Sequence, residues 1–254
     1  MTSNLRGVVC QCILALAAAA ALVSTVSAQG NIRSVTFYTV KPDRIGDFQA
    51  EIKEFNALYT KGGSTNYTSM WVSLSGPREY ARVSYYTKWA ELDAGPDPKL
   101  KDQAADLARL STRIIDCTES WHRIIEEIQP DLSLPSSQEI PKMIRVLVTE
   151  VRPDKYKEYL DLVKSDVLPA AQKGGLKTYT FAETRDGAPN TSVSSVIGMD
   201  SWADLDGDFG VEKGLGKDGY QALLGKIRPL IVSSVANIYR FQPDLSYLPP
   251  PTSK

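Results

Sequence analysis

Few side chains in this 254-residue sequence have the types and spacing to do chemistry. It holds one histidine, His122, which excludes a histidine-rich zinc site and any mechanism needing two imidazoles. Two-residue alternation puts Tyr67, Ser69 and Trp71 on one face of a strand, and Tyr80, Arg82, Ser84 and Tyr86 on one face of the next. His122, Ile124 and Glu126 share a face of a third. If these faces meet inside a barrel, Trp71, Arg82, Tyr86, His122 and Glu126 make an aromatic pocket with one guanidinium, one imidazole and one carboxylate. Such a lining suits a small anionic or aromatic ligand. A one-residue slip turns every side chain of a strand over, so the sequence leaves the facing open. Each residue also has a structural reading: His122 as a strand hydrogen-bonder, Arg82 as an ion-paired rim residue, Trp71, Trp89 and Trp202 as core or hydrophobic rim. Trp89 and Trp202 recur in equivalent settings, which favours packing.

Other chemistries find no support. Gly62-Gly63 closes a helix and lacks the spacing of a phosphate loop, and no Gly-x-Ser-x-Gly elbow is present. Asp204, Asp206 and Asp208 alternate in a glycine-containing loop but lack the rest of a calcium-loop pattern, so they read as a solvated turn and no metal site is expected. No cofactor is named by any motif. The formal net charge is −1, and no basic run is long enough to serve nucleic acid.

The elements that position these residues lie behind a secretory signal. Arg6 supplies a positive start, the stretch from Val8 to Val23 is apolar apart from Gln11, and Val26-Ser27-Ala28 fits the small-x-small cleavage rule. Cleavage after Ala28 predicts a secreted or periplasmic protein with no membrane segment. It leaves Cys117 alone, so no intramolecular disulfide forms and the core must hold the fold.

The remainder repeats. Val40-Lys41-Pro42-Asp43-Arg44 is echoed by Val151-Arg152-Pro153-Asp154-Lys155, and Lys61-Gly62-Gly63 by Lys173-Gly174-Gly175. Trp89-Ala90-Glu91-Leu92-Asp93 returns as Trp202-Ala203-Asp204-Leu205-Asp206, and Gln129-Pro130-Asp131-Leu132-Ser133 recurs identically from Gln242 to Ser246. In this alignment His122 corresponds to Val235, Arg82 to Ser195 and Trp71 to Glu183. Each copy reads strand, helix, hairpin, helix, strand. The helices carry apolar residues at three- and four-residue spacing: Ile45, Phe48, Ile52 and Phe55, then Tyr156, Tyr159, Val163 and Val167. Asp43 and Asp154 are expected to cap them, and the Lys-Gly-Gly sequences to end them. The predicted organisation is a signal at 1–28, a first ferredoxin-like βαββαβ unit at 29–130, a linker at 131–141, a second unit at 142–248 and a loose tail at 249–254.

A ferredoxin-like sheet has two faces and its two helices cover one, so two copies solve the problem by packing their bare faces together. With its Val-x-Pro-Asp turn, the helix aromatic at Phe48 or Tyr159, and Trp89 and Trp202 after the third strands, the chain resembles the dimeric α/β-barrel superfamily. That superfamily includes NIPSNAP-like and antibiotic-biosynthesis-monooxygenase-like proteins. The resemblance implies an α+β fold in which the two units form a pseudo-dimeric barrel within one chain, expected to be a monomer. It leaves three functions open: a non-enzymatic module that holds a small ligand or a partner through the barrel, an oxygenase-like or haem-handling enzyme, and a structural envelope protein with a filled barrel.

Overall fold

The computed structural model describes residues 30–93, 97–135 and 139–249. The signal segment at 1–28 lies outside these residues, as do part of the linker and all of the tail beyond Pro249.

Eight strands run β1 Ile32–Val40, β2 Thr68–Ser73, β3 Tyr80–Tyr86, β4 Thr118–Ile128, β5 Met143–Val151, β6 Tyr179–Asp186, β7 Ser192–Met199 and β8 Ile231–Phe241. They form a closed barrel in the order β1-β3-β2-β8-β5-β7-β6-β4, with every neighbouring pair antiparallel. Thus the order β4-β1-β3-β2 recurs in the second half as β8-β5-β7-β6. Four main helices pack outside the barrel. Helix α1 spans Ile45–Gly62 and α2 Ala104–Asp116. Helix α3 runs from Tyr156–Leu162 through a π-helical turn at Val163–Val167 into Leu168–Lys173, and α4 spans Val211–Ile227. The chain is a mixed α/β fold around a closed antiparallel barrel.

The larger cores follow from strand alternation. Outside the first half, Phe48, Ile52 and Phe55 of α1 and Leu110 and Ile114 of α2 pack on Tyr38, Met70 and Tyr80. Outside the second, Tyr159 and Val163 of α3 pack on Tyr179, Phe181 and Val193. The opposite faces fill the lumen, where Val35, Trp71, Ala81 and Val83 meet Ile144 and Tyr239.

The Lys-Gly-Gly stops behave as expected in α1: Gly63 adopts a left-handed conformation (φ 66°), and its amide and the next bond back to Thr60 and Tyr59. The aspartate caps do not form. Pro42–Arg44 and Pro153–Lys155 are single 3₁₀ turns started by proline, and neither following helix has a side-chain cap. Arg44 instead pairs with Asp47 one turn on. Trp89 and Trp202 are not core either; they are 45% and 47% exposed at the starts of short surface turns. Their recurrence reflects a shared loop and not shared burial. Sheet register also corrects the repeat alignment. Trp71 pairs with Phe241 and Ala182 with Ile128, so the counterpart of Trp71 is Ala182, while Glu183 matches Val72.

In the second half α3 and α4 approach closely through small residues. A Cβ added at Gly214 would stand 2.0 Å from the Ala170 carbonyl oxygen. Gly214→Ala should therefore force these helices apart and cost about 1–3 kcal/mol. Gly63→Ala meets no neighbour and should cost roughly 1–2 kcal/mol from its left-handed backbone alone. Thermal denaturation of both variants checks the size and order of these losses.

Candidate functional site

The structure separates the five candidate residues into two groups. Tyr38 faces α1, and in the β1–β3 ladder Tyr80 pairs with Tyr38, Arg82 with Thr36 and Ser84 with Ser34. Alternation then sets Arg82 and Tyr86 on the outer, helix-facing side of the sheet. Trp71, His122 and Glu126 take the inner side. The pocket expected from all five does not form, because β3 turns its polar face outward while β2 and β4 turn theirs inward.

The inner group is structural in character. Trp71 is 6% exposed, its Nε1 donates to Ser69 Oγ at 3.0 Å, and its ring lies against Phe241. His122 stacks on Phe37 with ring centroids 4.8 Å apart, at the open end of the sheet. Glu126 is buried at 2% exposure against Arg33. Arg33 Nε donates to Glu126 Oε2 at 2.9 Å and its Nη2 to Ser194 Oγ at 2.8 Å, while Ser194 Oγ donates to Glu126 Oε1 at 2.6 Å. Burial acts most strongly on the Arg33 charge, but Glu126 and Tyr85 together outweigh it and hold the guanidinium pKa above its usual value. Burial pushes the neighbouring Tyr85 phenol up as well. Tyr239, the counterpart of Glu126 in the second half, donates to Glu79 Oε1 at 2.5 Å, and burial followed by this bond raises its pKa well above the tyrosine range. Arg33 was legible as a charge alternating with Val35 and Phe37 on an apolar strand face. Ser194 carried no such signal.

The outer group lines a cleft of about 240 Å³ between the first sheet and the end of α1. Its floor is a row across three strands: Arg82 on β3, Thr36 on β1 and Arg123 on β4, paired in register. With strands about 4.8 Å apart, the two arginine Cα atoms lie roughly 10 Å from each other. Tyr59, Tyr67 and Tyr86 wall the cleft. Arg82 sits 4.8 Å over the Phe55 ring, with its charge close to the Tyr59 phenol. Burial raises the Tyr59 pKa more than Arg82 lowers it, so this phenol stays a neutral hydrogen-bonding group at physiological pH. No carboxylate or imidazole is among the described residues lining the cleft. It therefore presents two cations, aromatic rings and hydroxyls, a surface for an anionic, planar molecule. The matching row in the second half is Ser195, Leu147 and Ala236, and the space beside it is filled by Tyr159, Tyr179 and Phe181. Tyr59 and Arg123 were missed in the sequence because only tertiary packing places a helix end and an outer strand face together, and Tyr67, expected on the strand face of Trp71, instead precedes β2 and lines the cleft.

The haem implied by the haem-handling reading does not fit these residues. The one histidine is on the lumen side of β4, stacked on Phe37. Cys117 is 1% exposed within the first outer core, where burial raises its thiol pKa. The helix-facing space of the second half is packed with side chains.

No protein-family model matches the chain, and no curated protein matches its sequence. Solved structures do share the fold. A presumed monooxygenase from Lactobacillus acidophilus NCFM superposes with a TM-score of 0.57 at 10% identity, covering 83% of this chain and 93% of that one. An anthrone oxidase-like protein gives 0.56 at 16% identity, covering 83% and 91%. A chlorite dismutase variant from Candidatus Nitrospira defluvii gives 0.51 at 7% identity, covering 85% and 93%. At these identities the likeness is one of fold, and it is to the monooxygenase-like and chlorite dismutase-like α/β barrels.

The lumen network generates a stability prediction. Glu126→Ala strands a buried guanidinium and should cost about 3–5 kcal/mol, whereas the double change Arg33→Met with Glu126→Leu should cost far less. Equilibrium denaturation of the two variants against the parent checks this.

Proposed function

We propose that the protein is exported and binds a small aromatic anion in the sheet–helix cleft of its first half. The observation that carries this reading is the Arg82–Thr36–Arg123 row, whose counterpart is Ser195–Leu147–Ala236. Two like charges flank Thr36, and a carboxylate or phenolate bound between them is attracted to both while its ring packs on the tyrosines. Export rests on Arg6, the apolar stretch after it and Val26-Ser27-Ala28.

The recurring strand order and the four sequence echoes support a tandem duplication of a ferredoxin-like unit, at 29–130 and 142–248. Duplication frees one copy to keep a polar cleft while the other becomes a packed support. NIPSNAP-like kinship is part of the same reading and rests on the turn, the helix aromatic at Phe48 or Tyr159 and the tryptophan motifs alone.

A second reading, oxygenase-like turnover of the bound molecule, is favoured by the fold shared with the monooxygenase and anthrone oxidase-like structures. In this cleft the arginines would stabilise a substrate anion, and among the described lining residues there is no carboxylate or imidazole to remove its proton. Ionisation would have to come from the substrate's own acidity beside the arginines.

Calorimetric titration with 1-naphthoate tests the binding reading. Saturable binding is expected, weakened about tenfold or more in Arg82→Ala, as loss of a charge-assisted bond implies, and weakened by salt. Equal affinity for neutral naphthalene, or no effect of Arg82→Ala, would contradict it. Oxygen uptake with anthrone as probe, lost in the same variant, would add the enzymatic step.

A further inference from the structure

The sheet face that carries the cleft continues past it along β4. In register, the outer face of the first half is a set of rows: Tyr80, Tyr38 and Trp121, then Arg82, Thr36 and Arg123, then Ser84, Ser34 and Ile125. Tyr67 and Tyr86 lie toward the Ser84 row: Tyr86 is two residues beyond Ser84, and Tyr67 precedes Thr68, which pairs with Ser84. Trp121 stands on the opposite side of the arginine row, two residues from Arg123 and so about 6.8 Å from it along the strand. Tyr38 and Tyr80 of its row are buried under α1 against Phe48. Trp121 is 53% exposed.

A single exposed aromatic side chain is ordinary on a protein surface, so exposure alone assigns it nothing. Two further observations point to a ligand. The first is the way the surface opens. Arg123 and Trp121 are both exposed, whereas Ile125, on the other side of Arg123, is buried. Open floor therefore runs from the arginine row to Trp121 and stops at Ile125. Neither Arg82 nor Arg123 is in an ion pair among the described residues, and Trp121 is in no aromatic pair among them. The second observation is the other half, where three positions differ together. Arg82, Arg123 and Trp121 correspond to Ser195, Ala236 and Ser234. There the pair matching Tyr38 and Trp121 is Thr149 and Ser234, which closes on itself with a 3.0 Å hydrogen bond. The half without the cations and the cleft is also without the indole.

We infer that Trp121 is a specificity-determining residue, and that the ligand is an acid with aromatic groups on both sides of its anionic centre. This rests on the cleft proposed above and names the shape of what it holds. The anion meets Arg82 and Arg123, and one ring packs on the cleft tyrosines. The second ring crosses the Arg123 stem and lies on the Trp121 indole, where both aromatic surfaces leave water. An acid with one ring fills the tyrosine side and leaves Trp121 bare, so the indole favours the two-sided acid over the one-sided one.

Calorimetric titration of the protein with phenylacetate and diphenylacetate tests this, since the two differ by one ring on the carbon that bears the carboxylate. The parent is expected to prefer diphenylacetate, and Trp121→Ala to reduce that preference about fivefold, as loss of an aromatic pair implies. Trp121→Phe should keep most of it. Trp121 is half exposed, so neither change should move the melting temperature much. Arg82→Ala should weaken both acids and leave the preference in place. A preference that survives Trp121→Ala while Arg82→Ala weakens both acids overturns the role of Trp121 and leaves the cleft standing. Failure of either acid to bind, or indifference of both to Arg82→Ala, removes the cleft and this inference with it.

Discussion

The eight-stranded sheet of this chain must bury two faces, and its helices cover only the outer one. Everything else in the fold answers that constraint. The outer faces take α1 with α2, or α3 with α4, and the inner faces take each other, which closes the barrel. Closure then decides where a ligand could go. The lumen is packed by Val35, Trp71, Ile144 and Tyr239, so the polar cleft opens on the helix side.

The closure is not symmetric in its chemistry. Two carboxylates of the first half reach polar groups of the second: Glu126, with Arg33, reaches Ser194, and Glu79 reaches Tyr239. The position that holds Glu126 in one half holds Tyr239 in the other, and the apolar counterpart of Arg33 is Ile144. Buried charge is a weak source of net stability, but an unpaired Arg33 in any shifted pairing would be costly. The network thus penalises wrong registers more than it strengthens the right one. The same divergence leaves one half with a cationic cleft and the other with that space packed.

Much of the architecture was legible because periodicity and repetition are local signals. Both helix faces, the β-hairpins and the glycine stop of α1 could be read from spacing alone. The candidate site was half legible. Arg82 and Tyr86 are in the cleft, but Trp71, His122 and Glu126 are not, since a two-residue period shows that residues share a face without showing which way it turns. Tyr59, Tyr67 and Arg123 join Arg82 only once α1 is laid on the sheet. The aspartate caps failed because Pro42 and Pro153 had already set a 3₁₀ turn, and the Trp71–Glu183 match failed because the second hairpin is offset by one residue.

The central claim is that the working cavity lies under α1 in the first half and not in the lumen. A crystal structure of residues 29–254 soaked with 1-naphthoate tests it most directly. The account predicts density for the carboxylate at Arg82 and Arg123, with the ring against Tyr59 and Tyr86. Density in the lumen beside Arg33, or in the second half beside Ser195, would contradict it.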